Sequence, residues 1–285
     1  MARKNILQCF ESAIPEYVGM ALEDAPNRTH TSGYKTKEAE PPAFSIPYGR
    51  HHYIRRADDL LRERIVYTSI RSHYLATWER TRYLQVEADV SDAAATQLLN
   101  PVNLTICAAH RNTEIRCLHQ RTLHDVRADV VWCYPSDDDD DNDESLRYFA
   151  ALEYKRPGAI DEDEFESAEL LENETYRQAK DRGYRTMAGD DTDPSLFRGK
   201  SCKFLKQATT YANVYETKYV ALFDWNFLVL LYMERQDVEE VDVVGGDFCR
   251  VTIVRNKAFF RRALLGFLQE AYLASTEPNA NLRRN

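Results

Sequence analysis

The chain has 285 residues, of which 44% are hydrophobic and 29% are charged. This composition excludes a disordered or fibrous protein and is typical of a globular domain. No apolar run approaches the roughly 20 residues that cross a bilayer, and the first residues lack the apolar segment of a secretory signal. The six cysteines are scattered without a CxxC pair, which is typical of free thiols in a reducing compartment. We therefore expect an intracellular protein, nuclear or cytoplasmic, with no transmembrane segment.

The net charge of −9 argues at first against a nucleic-acid partner. However, seven acids lie within residues 137–144 and eight within residues 161–174, and neither segment contains Lys or Arg. Taking these fifteen acids away from −9 leaves +6 for the rest of the chain, so phosphate contact is allowed. We interpret residues 137–144 as a solvated insertion, and the alternative is a DNA-mimicking or autoinhibitory flap.

The first hundred residues predict an irregular start followed by helices. Residues 1–50 are interpreted as a partly irregular arm or linker, because their second half is rich in turn formers. Apolar residues recur at helical spacing between residues 54 and 84, which fits one or two amphipathic helices. Ser91 then begins a predicted helix that stops before Pro101.

The rest of the chain predicts strands and helices in alternation, and therefore an α/β fold with a central mixed sheet flanked by helices. This domain spans residues 51–275, and residues 276–285 are a C-terminal tail. Strands are predicted at residues 113–120, 126–135, 148–157, 219–225, 227–233 and 246–256, and helices at 163–181, 201–217 and 257–274.

Three residues on two of these strands indicate chemistry. Glu153 and Lys155 are two apart, so their side chains lie on the same face of the strand. Asp129 lies in the preceding strand, where Asp is uncommon. If the two strands pair as a hairpin, the carboxylates of Asp129 and Glu153 converge and could hold Mg²⁺ or Mn²⁺, with Lys155 beside the ion. The alternative is a surface pair of charges in an accidental pattern.

The arrangement of Asp129, Glu153 and Lys155 resembles the PD-(D/E)XK nuclease superfamily, although Ala128 stands where that family often has Pro. The resemblance covers about residues 85–260. It implies a restriction-endonuclease-like core, with Asp129 and Glu153 as metal ligands and Lys155 as a catalytic residue. It also implies hydrolysis of phosphodiester bonds by a metal-activated water.

The helix after these strands carries a further part of the resemblance. Gln207 and Tyr211 are four apart and therefore share one helical face, and they fit the QxxxY motif of the RecB-like branch. In that branch the two residues face the active site and the nucleic-acid backbone. The chain also looks similar to uncharacterised fungal proteins of the superfamily, some of which are effector-like.

The superfamily usually supplies one more acid from a helix before the first core strand. Glu87, Glu79 and Asp92 are the candidates, and Glu87 and Asp92 are preferred because they flank the start of the predicted helix at Ser91. Three basic residues could contact phosphate, although a solvated surface charge is the preferred interpretation of each one. They are Arg156, Lys203 and Lys206.

Two hypotheses about function follow. The first is a Mg²⁺- or Mn²⁺-dependent nuclease that acts on DNA, with RNA as the less favoured substrate. The second is a non-catalytic module that keeps the nuclease fold in order to bind nucleic acid or a protein partner, in an effector or regulatory role. Neither hypothesis requires a membrane.

Overall fold

The computed structural model describes residues 4–19, 36, 39–75, 83–136, 146–185, 195–234 and 248–276. The strands are β1 (Val18–Gly19), β2 (Phe44–Pro47), β3 (Tyr83–Leu84), β4 (Arg116–Leu123), β5 (Val126–Pro135), β6 (Leu146–Tyr154), β7 (Tyr219–Phe223), β8 (Leu228–Met233) and β9 (Phe248–Val254). The helices are α1 (Ile6–Phe10), α2 (His51–Arg62), α3 (Arg64–Arg71), α4 (Glu87–Ala94), α5 (Asn100–Ala109), α6 (Glu162–Glu166), α7 (Tyr176–Arg185), α8 (Gly199–Val214) and α9 (Phe260–Thr276).

Seven strands form one mixed sheet in the order β2-β9-β8-β7-β6-β5-β4. The β2–β9 and β6–β7 pairs are parallel, and the other neighbours are antiparallel. The short β1 and β3 pair separately, in parallel. The predicted fold class, α/β with a central mixed sheet flanked by helices, is therefore confirmed.

Helices cover both faces of the sheet and give it two cores. In β6, Leu152 and Tyr154 belong to the core that contains α2, α5 and α9, whereas Ala151 belongs to the core that contains α8. This alternation is the period of two expected for a strand. It directs Glu153, like Ala151, toward α8, because the two residues are two apart.

One helical segment runs from α4 through α5 and passes Pro101, where the sequence predicts a stop. A π-helical turn, Ala95–Leu99, joins the two helices, and Pro101 follows it within the continuous segment, so its missing N–H leaves the Gln97 carbonyl without a helical donor. The carbonyl of Gln97, four residues before the proline, accepts a hydrogen bond from Nε of the buried Arg261 at 2.6 Å. The prediction of a helix end was wrong because a distant side chain satisfies this carbonyl.

Two short helices, α6 and α7, replace the single helix predicted over residues 163–181. Acids of this segment have partners within the fold. Glu164 Oε2 accepts the Ser201 backbone N–H at 2.7 Å in the first turn of α8, and Glu174 forms an ion pair with Arg182 at 2.8 Å. The acidic side chains of this segment therefore cap a helix and form ion pairs, and the segment does not form one long helix.

The predicted arm at residues 1–50 contributes to the folded body. Ile6 and Phe10 of α1 are buried in the same core as α9, and β2 forms an edge of the main sheet. Residues 4–19 and 39–50 combine short elements with irregular stretches, and their packing partners are distant in the chain. Residues 20–35, the insertion at 137–144 and the tail from 277 lie outside the described residues.

Two expectations from composition can be compared with the structure. All six cysteines are free; Cys9, Cys133 and Cys249 are buried and Cys107 is exposed. None of the helices in the described part of the chain has the length and apolar character that crossing a bilayer requires.

Candidate metal centre

Asp129 and Glu153 meet where β5 and β6 separate. The two strands are paired from Pro135 with Leu146 as far as Val130 with Leu152, and the ladder ends there. Beyond it, Asp129 Oδ2 accepts the backbone N–H of Tyr154 at 2.8 Å. A side chain thus takes the hydrogen bond that a regular ladder would give to the backbone, and this draws the Asp129 carboxylate toward Glu153.

A third carboxylate comes from α4. Oxygen atoms of Glu87, Asp129 and Glu153 all lie within 4.8 Å of one another, and no other such group of three or more His, Cys, Asp or Glu residues occurs within the described ranges. Asp92 is exposed and is not in this group. Five residues on a helix correspond to a rotation of roughly 140°, so Glu87 and Asp92 cannot share one face. Glu79 lies outside the described residues.

Desolvation, followed by repulsion from a neighbouring carboxylate, disfavours the charged form of Asp129 and of Glu87. Burial raises the pKa of Asp129 to about 7, with Glu153 as the next cause; the Tyr154 N–H acts in the opposite direction. The pKa of Glu87 is also raised, first by desolvation, against which Lys155 acts. A bound dication would offset this excess of negative charge, and carboxylate oxygens are ligands that Mg²⁺ and Mn²⁺ prefer. The donor set therefore fits a hard divalent cation.

Lys155 and Gln207 form a hydrogen-bonded network with Glu153. Lys155 Nζ donates to Glu153 Oε1 at 2.9 Å and to Gln207 Oε1 at 2.8 Å. Gln207 Nε2 donates to the same Glu153 oxygen at 2.6 Å. All three side chains are buried, with exposed fractions of 4 to 6%. The buried Lys155 charge is therefore paired and hydrogen-bonded, as burial requires.

Tyr211 completes the support of Glu153. Its hydroxyl lies 2.6 Å from Glu153 Oε2 and 3.0 Å from the Arg127 carbonyl oxygen, and it accepts a hydrogen bond from Gln207 Nε2 at 2.7 Å. The pKa of Tyr211 is well above its usual value, because of desolvation and then the Glu153 charge. The hydroxyl consequently stays protonated and serves as a donor. Gln207 and Tyr211 thus lie against the candidate centre, where their buried side chains hold Glu153.

Two further residues, Phe204 and Asp224, support the site but were not identified from the sequence. Lys155 Nζ lies over the ring of Phe204, 5.1 Å from its centroid. The wholly buried Asp224 accepts backbone N–H groups of Ile160 and Phe227 at 3.0 and 2.8 Å, which fixes the loop after Lys155 to the β7–β8 turn. Phe204 precedes Gln207 by one helical turn, and an Asp within an apolar strand pair is unusual. Both signals were available in the sequence.

The basic candidates lie on or near the same elements. Lys203 is exposed on α8, one turn before Gln207, whereas Lys206 and Arg156 are half-buried. Their function as phosphate contacts stays a prediction.

No family model matches the chain, and neither a curated protein nor a solved structure matches it. The function of the site must therefore be inferred from its own residues and their geometry.

Proposed function

We propose that this protein is a metal-dependent nuclease that hydrolyses phosphodiester bonds. The observation that carries the proposal is one cluster in which Glu87, Asp129 and Glu153 bring carboxylate oxygens within 4.8 Å while Lys155 hydrogen-bonds Glu153. Carboxylates alone are common on protein surfaces. A buried lysine in contact with one of them adds a positive charge where phosphodiester hydrolysis develops negative charge on the phosphate.

Each residue has a defined part in this proposal. Asp129, Glu153 and Glu87 would hold Mg²⁺ or Mn²⁺, which when bound supplies Lewis acidity toward water and the phosphodiester. Lys155 provides a positive charge beside the reacting phosphate and orients the attacking water. Gln207 and Tyr211 keep Glu153 in position through hydrogen bonds to its two oxygens, so the ligand geometry is set before substrate arrives.

The substrate in this proposal is DNA, with RNA as the alternative. Lys203, Lys206 and Arg156 are the proposed phosphate contacts outside the centre. Membership of the PD-(D/E)XK superfamily, in its RecB-like branch, is part of the same proposal. The convergence of its characteristic residues on one centre supports it. A nuclear or cytoplasmic location would accompany such a substrate.

Cleavage assays with purified protein test the proposal. Supercoiled plasmid, linear duplex, single-stranded DNA and RNA would each be incubated with Mg²⁺, with Mn²⁺ or with EDTA. We expect cleavage with metal, none in EDTA, and loss of cleavage in Lys155→Ala. Lys218→Ala is the matched control, because this exposed lysine directly precedes β7, whereas the loop bearing Lys155 adjoins the opposite end of that strand. Cleavage that persists in EDTA, or that Lys155→Ala retains, would refute the mechanism.

The same preparations distinguish the non-catalytic hypothesis from the nuclease hypothesis. A binding module should show no saturable Mg²⁺ or Mn²⁺ site that is lost in Asp129→Ala, together with no cleavage of any of the four substrates. Absence of both binding and cleavage would reject the metal centre altogether.

A further inference from the structure

The aromatic ring of Phe204 lies against the charge of Lys155. Nζ is 5.1 Å from the ring centroid, which is within the distance at which a cation and an aromatic face attract each other. Phe204 and Lys155 are both buried, with exposed fractions of 3 and 6%. We propose that Phe204 is a positioning residue for Lys155, a role that rests on the nuclease function proposed above.

A lysine needs such a contact because its side chain is long and its ammonium is strongly hydrated. Burial at this site removes most of the water, and Glu153 and Gln207 each accept one N–H. An ammonium has three N–H donors. The face of the Phe204 ring attracts the positive charge, but it does not serve as a third hydrogen-bond acceptor for the ammonium. One N–H is therefore left for water or a phosphate oxygen, as far as the described residues show.

The ring matters most when a dication shares Glu153 with Lys155. Two positive charges bound to one carboxylate repel each other, which weakens the hold of Glu153 on the lysine. Phe204 contacts Lys155 without involving Glu153, and it lies on the same face of α8 as Gln207, three residues before it. The helix thus keeps the lysine in place while the carboxylate acts as a ligand.

The competing explanation is that Phe204 only fills the core beneath α8, to which it belongs. Substitutions separate volume from aromatic character. Phe204→Leu keeps an apolar side chain but removes the ring, whereas Phe204→Tyr keeps the ring. Phe197→Leu is the matched control, because Phe197 is a buried ring of the same core whose ring packs on Phe165.

The test measures the reactivity of Lys155 in metal-free protein, and then catalysis. Reductive methylation with formaldehyde and a borohydride reductant in EDTA, followed by peptide mass spectrometry, reports how accessible the Lys155 amine is and needs no activity. We expect methylation about tenfold faster in Phe204→Leu. We also expect kcat about tenfold lower with KM unchanged, while Phe204→Tyr and Phe197→Leu stay close to wild type.

Wild-type methylation and kcat in Phe204→Leu would overturn the proposal, as would an equal change in Phe197→Leu. Should Phe204→Leu fail to fold, Phe204→Met fills the same space with a flexible chain and replaces it in the comparison. If the wild type cleaves no substrate, the nuclease function fails, and the methylation rates still decide whether Phe204 holds Lys155.

Discussion

The side-chain amide of Gln207 donates from Nε2 to Glu153 Oε1 at 2.6 Å, across 54 residues of sequence. The other end of the same amide accepts from Lys155. One side chain of α8 therefore positions both Glu153 on strand β6 and Lys155 immediately after it. This relationship makes α8 a support for the candidate metal ligand, and its consequences can be measured.

Removing the Tyr211 hydroxyl should weaken both metal binding and the fold. In Tyr211→Phe, Glu153 Oε2 loses its donor and Gln207 Nε2 loses an acceptor, and both contacts are buried. We expect the free energy of unfolding to fall by about 1–3 kcal/mol, and Mn²⁺ affinity to fall about tenfold. Urea denaturation and calorimetric titration measure these quantities. Tyr176→Phe, at a partly exposed tyrosine, is the control, and an equal effect there would refute the assignment.

Glu87, and not Asp92, should contribute to metal affinity. Glu87→Gln removes one of the three carboxylates, so we expect Mn²⁺ affinity to fall at least about tenfold. Asp92→Asn lies on the same helix but outside the cluster, and we expect its affinity to equal that of the wild type. Titration followed by electron paramagnetic resonance of free Mn²⁺ would decide. Equal losses in both variants would indicate a general electrostatic effect.

The stability of metal-free protein should fall as pH rises from about 4 to 7. The pKa of Asp129 is raised to about 7, so the folded state holds a proton that the unfolded state has released. The contribution of Asp129 to the free energy of unfolding is fully present below the unfolded pKa of about 3.9 and is lost as pH rises through 7. The free energy of unfolding then falls by at most about 1.4 kcal/mol per pH unit.

Unfolding by urea at several pH values in EDTA measures this slope. Asp129→Asn should flatten it, because an amide does not titrate in this range. Saturating Mn²⁺ should reverse it, since the cation favours the ionised carboxylates. A wild-type slope that Asp129→Asn leaves unchanged would contradict the assignment to Asp129.

Arg261 should be needed for folding although it lies outside the centre. Its guanidinium donates to the carbonyl oxygens of Gln97, Cys9 and Ser12 at 2.6, 2.7 and 3.0 Å. Arg261→Met leaves these carbonyls without that donor in the interior. We expect the free energy of unfolding to fall by about 3 kcal/mol, against less than about 1 kcal/mol in Arg262→Met, whose side chain is partly exposed. Similar losses in both variants would contradict this role.

For residues of the candidate centre, the face of the strand or helix on which each side chain lies was predictable from local periodicity. Period two directs Glu153 and Lys155 to one face of a strand, and period 3.6 directs Gln207 and Tyr211 to one face of a helix. The alternation of strands and helices also predicts the α/β sheet. These properties depend on neighbours in the chain, so the sequence determines them directly.

Tertiary structure alone decided which distant partners meet. It brings Glu87 to the carboxylates in preference to Asp92, and it lets the helical segment pass Pro101 because Arg261 reaches the carbonyl of Gln97. It also gives residues 4–19 and 39–50 their place in the core and the sheet. The physical reason is that burial and hydrogen bonding between distant segments outweigh local propensity, and no local pattern encodes those pairings.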